Sequence, residues 1–195
     1  VNKDLTEIIF LIDRSGSMAG LEQDTIGGFN SFLNRQASME GETIVTTVLF
    51  DDNYETLTCG VDAKNVTLTE KEYFVRGTTA LLDAVGRTIV EVGCRLSKTE
   101  EDRRPGKVIF VITTDGMENA SREFTYEKVK ELIRHQQEKY SWEFIFMGAN
   151  IDAAKEAGNL GIEEKHAYSF EASHTGVEKM YDMATEAVSE ARKRW

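Results

Sequence analysis

Two uninterrupted apolar runs constrain this chain more than any other feature: Ile8-Ile9-Phe10-Leu11-Ile12 and Val108-Ile109-Phe110-Val111-Ile112. A strand with one wet face alternates apolar and polar residues, whereas a strand covered on both faces reads as a continuous run. Both runs therefore predict central parallel strands with helices above and below. Sheets of this kind bind ligands beyond the carboxyl ends of their strands. Each run leads to an acid there, Asp13 directly after the first and Asp115 soon after the second.

The first strand end carries Asp13-Arg14-Ser15-Gly16-Ser17. One carboxylate and two hydroxyls are hard oxygen donors, suited to Mg²⁺ or Mn²⁺, and the turn offers no soft ligand for zinc or copper. Alone, Asp-x-Ser-x-Ser is also turn and N-cap chemistry, and by itself it fits capping better than metal. Further donors come from Thr78, in Arg76-Gly77-Thr78-Thr79-Ala80-Leu81-Leu82 ahead of a helical pattern, and from Asp115, in Val111-Ile112-Thr113-Thr114-Asp115-Gly116.

In this order and in these contexts the chain resembles the von Willebrand factor A domain, whose metal-ion-dependent adhesion site combines Asp-x-Ser-x-Ser, a separated Thr and a later Asp. The resemblance covers nearly the whole chain. It implies that Asp13, Ser15, Ser17, Thr78 and Asp115 hold one Mg²⁺ or Mn²⁺. The serines and the threonine would contact the metal, one or both aspartates would act through water, and an Asp or Glu of a partner protein would fill the open position. Bacterial intracellular relatives add an ATPase or another operon-encoded protein as candidate partner. Two positions depart from the family's usual pattern. Arg76 precedes Gly77-Thr78 where the family often has a glycine, which puts a long cation near the site, and Met117 follows Asp115-Gly116 where the family is often charged or polar.

The rest of the chain alternates strand and helix signals. Ile26, Phe29, Phe32, Leu33 and Ala37 recur at helical spacing and predict a helix over 21–38, with Gly27-Gly28 inside it explained by close approach to the sheet. Residues 42–50 and 54–59 read as a hairpin around Asp51-Asp52-Asn53, whose acids are explained by turn chemistry and are left without a further role. A short helix is expected over 70–74, then helices over 79–97, 125–139, 152–157 and 175–195, with strands over 142–147 and 168–170. Right-handed crossovers between such elements give an α/β fold: a doubly wound, mostly parallel sheet with one antiparallel edge strand and helices on both faces, in a single domain over 1–195.

Charge and motif content narrow the function. With 23 basic and 34 acidic residues the net charge is 23 − 34 = −11, which opposes binding to nucleic acid or anionic lipid. No run approaches the roughly 18 apolar residues of a membrane span. Cys59 and Cys94, the only two cysteines and without a Cys-x-x-Cys pair, predict free, partly buried thiols and a cytoplasmic protein. Val1 is not a methionine, which leaves room for a removed leader. Gly-x-x-x-x-Gly-Lys, His-Glu-x-x-His and Gly-x-Ser-x-Gly are absent, and His135, His166 and His174 fall outside the motif segments. Two carboxylates leave Mg²⁺ partly compensated and able to attract an outside acid. A protein-binding module that is not an enzyme is therefore the expectation. The rival readings are a Mg²⁺-dependent phosphotransferase or hydrolase and a scaffold whose metal is structural. Enzymes of the haloacid dehalogenase type would need an aspartate where Ser15 stands.

Overall fold

The first apolar run is the centre of a 12-residue strand, β1 (Asn2–Asp13), in a computed structural model that describes residues 1–194. β1 pairs in parallel with β2 (Glu42–Phe50) on one side and with β4 (Pro105–Thr114) on the other. β2 continues antiparallel into β3 (Tyr54–Asp62), and β4 continues in parallel into β5 (Glu143–Gly148) and β6 (Ala167–Ser169). The order across the sheet is β3-β2-β1-β4-β5-β6. The chain winds outward from β1 through β2 and β3, then restarts at β4 on the other side of β1. The switch point, where open α/β sheets present a ligand crevice, thus lies between β1 and β4. Asp13 ends one of these strands and Asp115 follows the other.

Side chains of β1 alternate between two cores, as a period of 2 requires. Ile8, Phe10 and Ile12 join the core under α1 (Glu22–Ala37) and α5 (His174–Lys193). Ile9 and Leu11 join the core under α2 (Leu81–Lys98), α3 (Tyr126–Tyr140) and α4 (Ala153–Asn159). All five residues from Ile8 to Ile12 are fully buried, which is why none can be polar. The sheet is mostly parallel with one antiparallel edge, β3, and is covered on both faces. Among the described residues no helix is long and apolar enough to cross a membrane.

Several local expectations give way to tertiary contacts. Residues 70–74 form a turn and then an extended segment, because Tyr73 donates its hydroxyl to the Asp13 carbonyl (2.8 Å) and Arg76 N–H bonds the Arg14 carbonyl (2.9 Å). These bonds lay the segment along the end of β1, and a single helical turn has too few bonds of its own to compete. Gly28 is a close-approach glycine, but against α5 rather than the sheet: a Cβ there would overlap the Tyr181 ring, which stacks on Phe10 with centroids 5.8 Å apart. Gly27 meets nothing within 4 Å. Cys59 and Cys94 are free but exposed rather than partly buried, one on the edge strand β3 and the other on the outer side of α2. The last helix is described through Lys193, and its expected end at Trp195 lies outside the described residues.

Candidate metal centre

Parallel pairing brings the ends of β1, β2 and β4 to one edge, and the polar groups that gather there are organised by Asp13. Its Oδ1 accepts from Ser15 N–H (2.7 Å), and its Oδ2 accepts from the Thr114 hydroxyl (3.0 Å) and Asp115 N–H (3.2 Å). Ser17 donates its hydroxyl to Asp115 Oδ1 (2.8 Å), Ser15 Oγ lies 3.4 Å from the same oxygen, and the two serine hydroxyls are 3.0 Å apart. Asp13, Ser15 and Asp115 are buried, while Ser17 opens to solvent. Burial, and after it the charge of Asp115, raises the Asp13 carboxyl from its ordinary 3.8 to about 6, against the opposing pull of its hydrogen bonds. Asp115 Oδ2 is buried and bonded to nothing. The Asp115 carbonyl is held by Asn150 Nδ2 (3.0 Å), from a left-handed residue (φ 60) just past β5.

Thus four of the five expected ligands, Asp13, Ser15, Ser17 and Asp115, form one hydrogen-bonded cluster. Thr78 stands apart from that network. It is exposed, its N–H donates to Asp52 Oδ1 (3.3 Å), and among the described residues no hydrogen bond joins its hydroxyl to the other four. Its loop does touch the serine turn, since Gly16 N–H bonds the Gly77 carbonyl (3.0 Å). Nor does Thr78 cap its helix: α2 begins at Leu81 behind Ala80, which offers no side-chain cap. The cap comes from the loop after β4 instead. Glu118 accepts from Leu82 N–H (2.9 Å), Asn119 Oδ1 from Thr79 N–H (2.9 Å) and Ser121 Oγ from Asp83 N–H (2.9 Å). Asp83 in turn takes the N–H groups of Arg122, Glu123 and Phe124.

The donor set fits a hard divalent cation. A buried carboxylate oxygen without a partner is costly unless a cation meets it, and two adjacent buried carboxylates repel unless a charge lies between them. Among the described residues no three His, Cys, Asp or Glu side chains gather around a point, so neutral hydroxyls have to complete any shell. That composition suits Mg²⁺ or Mn²⁺ coordination with water better than a thiolate or imidazole site.

Some participants were not visible in the sequence motifs. Arg14, inside Asp-x-Ser-x-Ser, is almost wholly buried, with Nη1 on Glu55 (3.0 Å) and Nε 3.5 Å from Asp51 Oδ2. Arg76, the departure from the family pattern, bonds Asp51 Oδ2 through Nε (2.9 Å) and places its guanidinium 5.3 Å from the centre of the Phe74 ring. Met117 is exposed beside Asp115-Gly116. The signal for Asp51 was its place directly after Phe50, which pairs with Asp13 across the parallel strands.

Comparison of the whole fold with solved structures finds clear likenesses at low identity. Proximal thread matrix protein 1 from the mussel byssus superposes with a TM-score of 0.66 at 17% identity, over 96% of this chain and 46% of that one. Manganese-loaded TRAP of Plasmodium vivax gives 0.64 at 18% identity, over 92% of this chain and 73% of that one. The vWF domain of the type V pili tip protein Mfa5 from Porphyromonas gingivalis gives 0.65 at 10% identity, over 97% of both chains. The chain has the von Willebrand factor A fold. No protein-family model and no curated protein matches the sequence at a significant level. This A-type fold spans less than half the length of the mussel protein, which is also known with zinc in its MIDAS motif, a structure that superposes at a TM-score of 0.61 and 17% identity. At these identities the likeness concerns the fold, and the ligands must be argued from this chain's own residues.

Proposed function

We propose that this A-type fold is a metal-dependent protein-binding module. Asp13, Ser15, Ser17, Thr78 and Asp115 hold one Mg²⁺ or Mn²⁺, and an Asp or Glu of a partner protein completes the shell. The observation that carries the reading is the buried Asp13–Asp115 pair, with Asp115 Oδ2 bonded to nothing and no basic side chain in an ion pair with either among the described residues. Support comes from the metal-occupied mussel and Plasmodium proteins of the same fold. Bound metal would supply Lewis acidity toward a carboxylate. The chain's own residues orient it: Asp13 ties the serine turn to β4, and Ser15 and Ser17 present hydroxyls beside Asp115.

Binding rather than turnover fits the groups assembled. His174 is paired with Asp24 on the surface, and His135 lies on α3 against Tyr140. Lys107 sits at the start of β4, at the opposite edge of the sheet from the cluster. A general acid and base within reach of a metal-bound substrate are needed for hydrolysis, and none of these groups supplies them. The cytoplasmic setting of this proposal rests on the cysteine usage, and an ATPase or operon-encoded protein is the partner that intracellular relatives suggest by analogy, where secreted relatives bind matrix or cell-surface ligands. Titration calorimetry with Mg²⁺ and Mn²⁺ tests the metal: one site is expected in the wild type and none in Asp13→Ala with Ser15→Ala, while unchanged Mn²⁺ binding in that variant would sink the assignment. For a captured protein, retention should vanish with chelator and on replacing one acidic residue of the captured protein. Metal-dependent turnover of phosphoesters that disappears in Asp13→Ala would favour the enzyme instead.

A further inference from the structure

Thr78 is the expected ligand that the cluster does not itself hold, so something else has to place it. The segment 76–80 is gripped by two consecutive acids at the end of β2. Asp51, with no exposed surface, binds Arg76 Nε through its carboxylate (2.9 Å) and Ala80 N–H through its carbonyl (2.9 Å), on either side of Thr78. Asp52 Oδ1 takes the Thr78 N–H itself (3.3 Å). Gly77 lies under the Asp52 carboxylate at φ +68, where any side chain would overlap Asp52 and the backbone would be strained. On the other flank Asn119 bonds both the N–H and the carbonyl of Thr79 (2.9 and 3.0 Å). The same Asp51 carboxylate faces Arg14, whose neighbours Asp13 and Ser15 belong to the cluster, with Oδ2 3.5 Å from Arg14 Nε. Asp51 thus reinforces, through its carboxylate on Arg76 and Arg14 and its carbonyl on Ala80, the two main-chain bonds that join these loops, Arg76 N–H to the Arg14 carbonyl and Gly16 N–H to the Gly77 carbonyl.

We propose that Asp51 is a positioning residue of the metal centre, which holds Thr78 in ligand range by tying Arg76 and Ala80 to the Asp13–Ser17 turn. The proposal rests on the metal reading above and extends it to a residue that would never touch the metal. It also accounts for Arg76, whose cation is spent on Asp51 and anchors the segment. Outer partners of this kind typically change metal affinity by about 10- to 100-fold.

The test is a double-mutant cycle in Mn²⁺ affinity, with water proton relaxivity of the bound Mn²⁺ as a second readout. Asp51→Asn and Thr78→Ala should each weaken Mn²⁺ binding by about 10- to 100-fold and each raise the relaxivity as water replaces the lost hydroxyl. The double variant should be no weaker than the weaker single one, because both remove the same contact. If Asp51→Asn unfolds in chelator, Arg76→Ala replaces it in the cycle, since that change leaves the buried Asp51–Arg14 pair in place. Additive losses, or unchanged relaxivity in the Asp51 and Arg76 variants, would overturn the positioning role. Asp13→Ala separates the two claims. If it abolishes binding and Thr78→Ala weakens it while the Asp51 and Arg76 variants bind normally, only the inference fails. If it too binds normally, the metal reading itself falls.

Discussion

β1 buries one carboxylate near its middle and one at its end, and the protein treats the two differently. Glu7, in the first half of the strand, has no exposed surface and is met by the Arg95 guanidinium from α2 and by the Thr46 hydroxyl (2.7 Å). Asp13, at the end of the strand, is buried beside a second carboxylate, and their bonds are to hydroxyls and amides. Glu7 also keeps one oxygen without a partner, so an orphaned oxygen alone does not mark a ligand site. The presence of a resident cation separates the cases. Where the chain carries its own guanidinium the carboxylate is structural; where it buries two acids without one, the proposed metal would supply the missing charge. Asp51 sides with Glu7, since two arginines face it.

The comparison can be broken most severely at Glu7. Arg95→Met leaves Glu7 buried without its cation, and removing one partner of such a pair costs about 3 kcal/mol. Urea unfolding should show that loss with Mn²⁺ affinity unchanged. Adding Glu7→Met should restore most of the stability, because a matched apolar pair has no charge to bury. A loss below about 1 kcal/mol would mean that the part-exposed Arg95 contributes no more than a surface pair.

The reciprocal experiment adds the charge at Asp13. Mn²⁺ at 100 times its dissociation constant should stabilise the wild type by about 2.7 kcal/mol if the unfolded chain does not bind it. Arg95→Met should gain the same increment and Asp13→Ala none, as read from unfolding midpoints with and without chelator. Equal gains in wild type and Asp13→Ala would place the metal elsewhere and remove the distinction between Glu7 and Asp13.

The architecture was legible because its causes are repetitive: apolar runs for strands buried on both faces, and three- and four-residue spacing for the helices packed on them. The cluster was legible because strand order alone carries Asp13 and Asp115 to the same edge. What escaped depends on contacts between distant segments. Asp51 reads locally as turn chemistry, and only the end of β2 lying beside the Arg76 loop turns it into a buried hub. Tyr73 lies where a short helix was expected and instead donates to the Asp13 carbonyl. Glu7 interrupts no periodicity, and nothing near it in sequence announces Arg95. Gly28 was recognised as a close approach but assigned to the sheet, since the sequence does not say that Tyr181 crosses there.

The smallest expected effect is also the one that depends most on the absence of a resident cation. Asp13 has a folded-state carboxyl raised from 3.8 to about 6, chiefly by burial and then by Asp115. A group raised on folding contributes stability that is full below its unfolded value and is lost as pH rises through its folded value. Without metal, therefore, the protein should become more stable by about 1 kcal/mol from this group as pH falls from about 7 to about 5. With saturating metal this gain should vanish, because the ligand is the carboxylate and the cation has to be displaced before Asp13 takes up its proton. Denaturant midpoints across that range should rise toward low pH in chelator and stay nearly flat in saturating Mn²⁺. Asp13→Asn should flatten the chelator curve, and parallel curves in the wild type would show that Asp13 does not meet the metal.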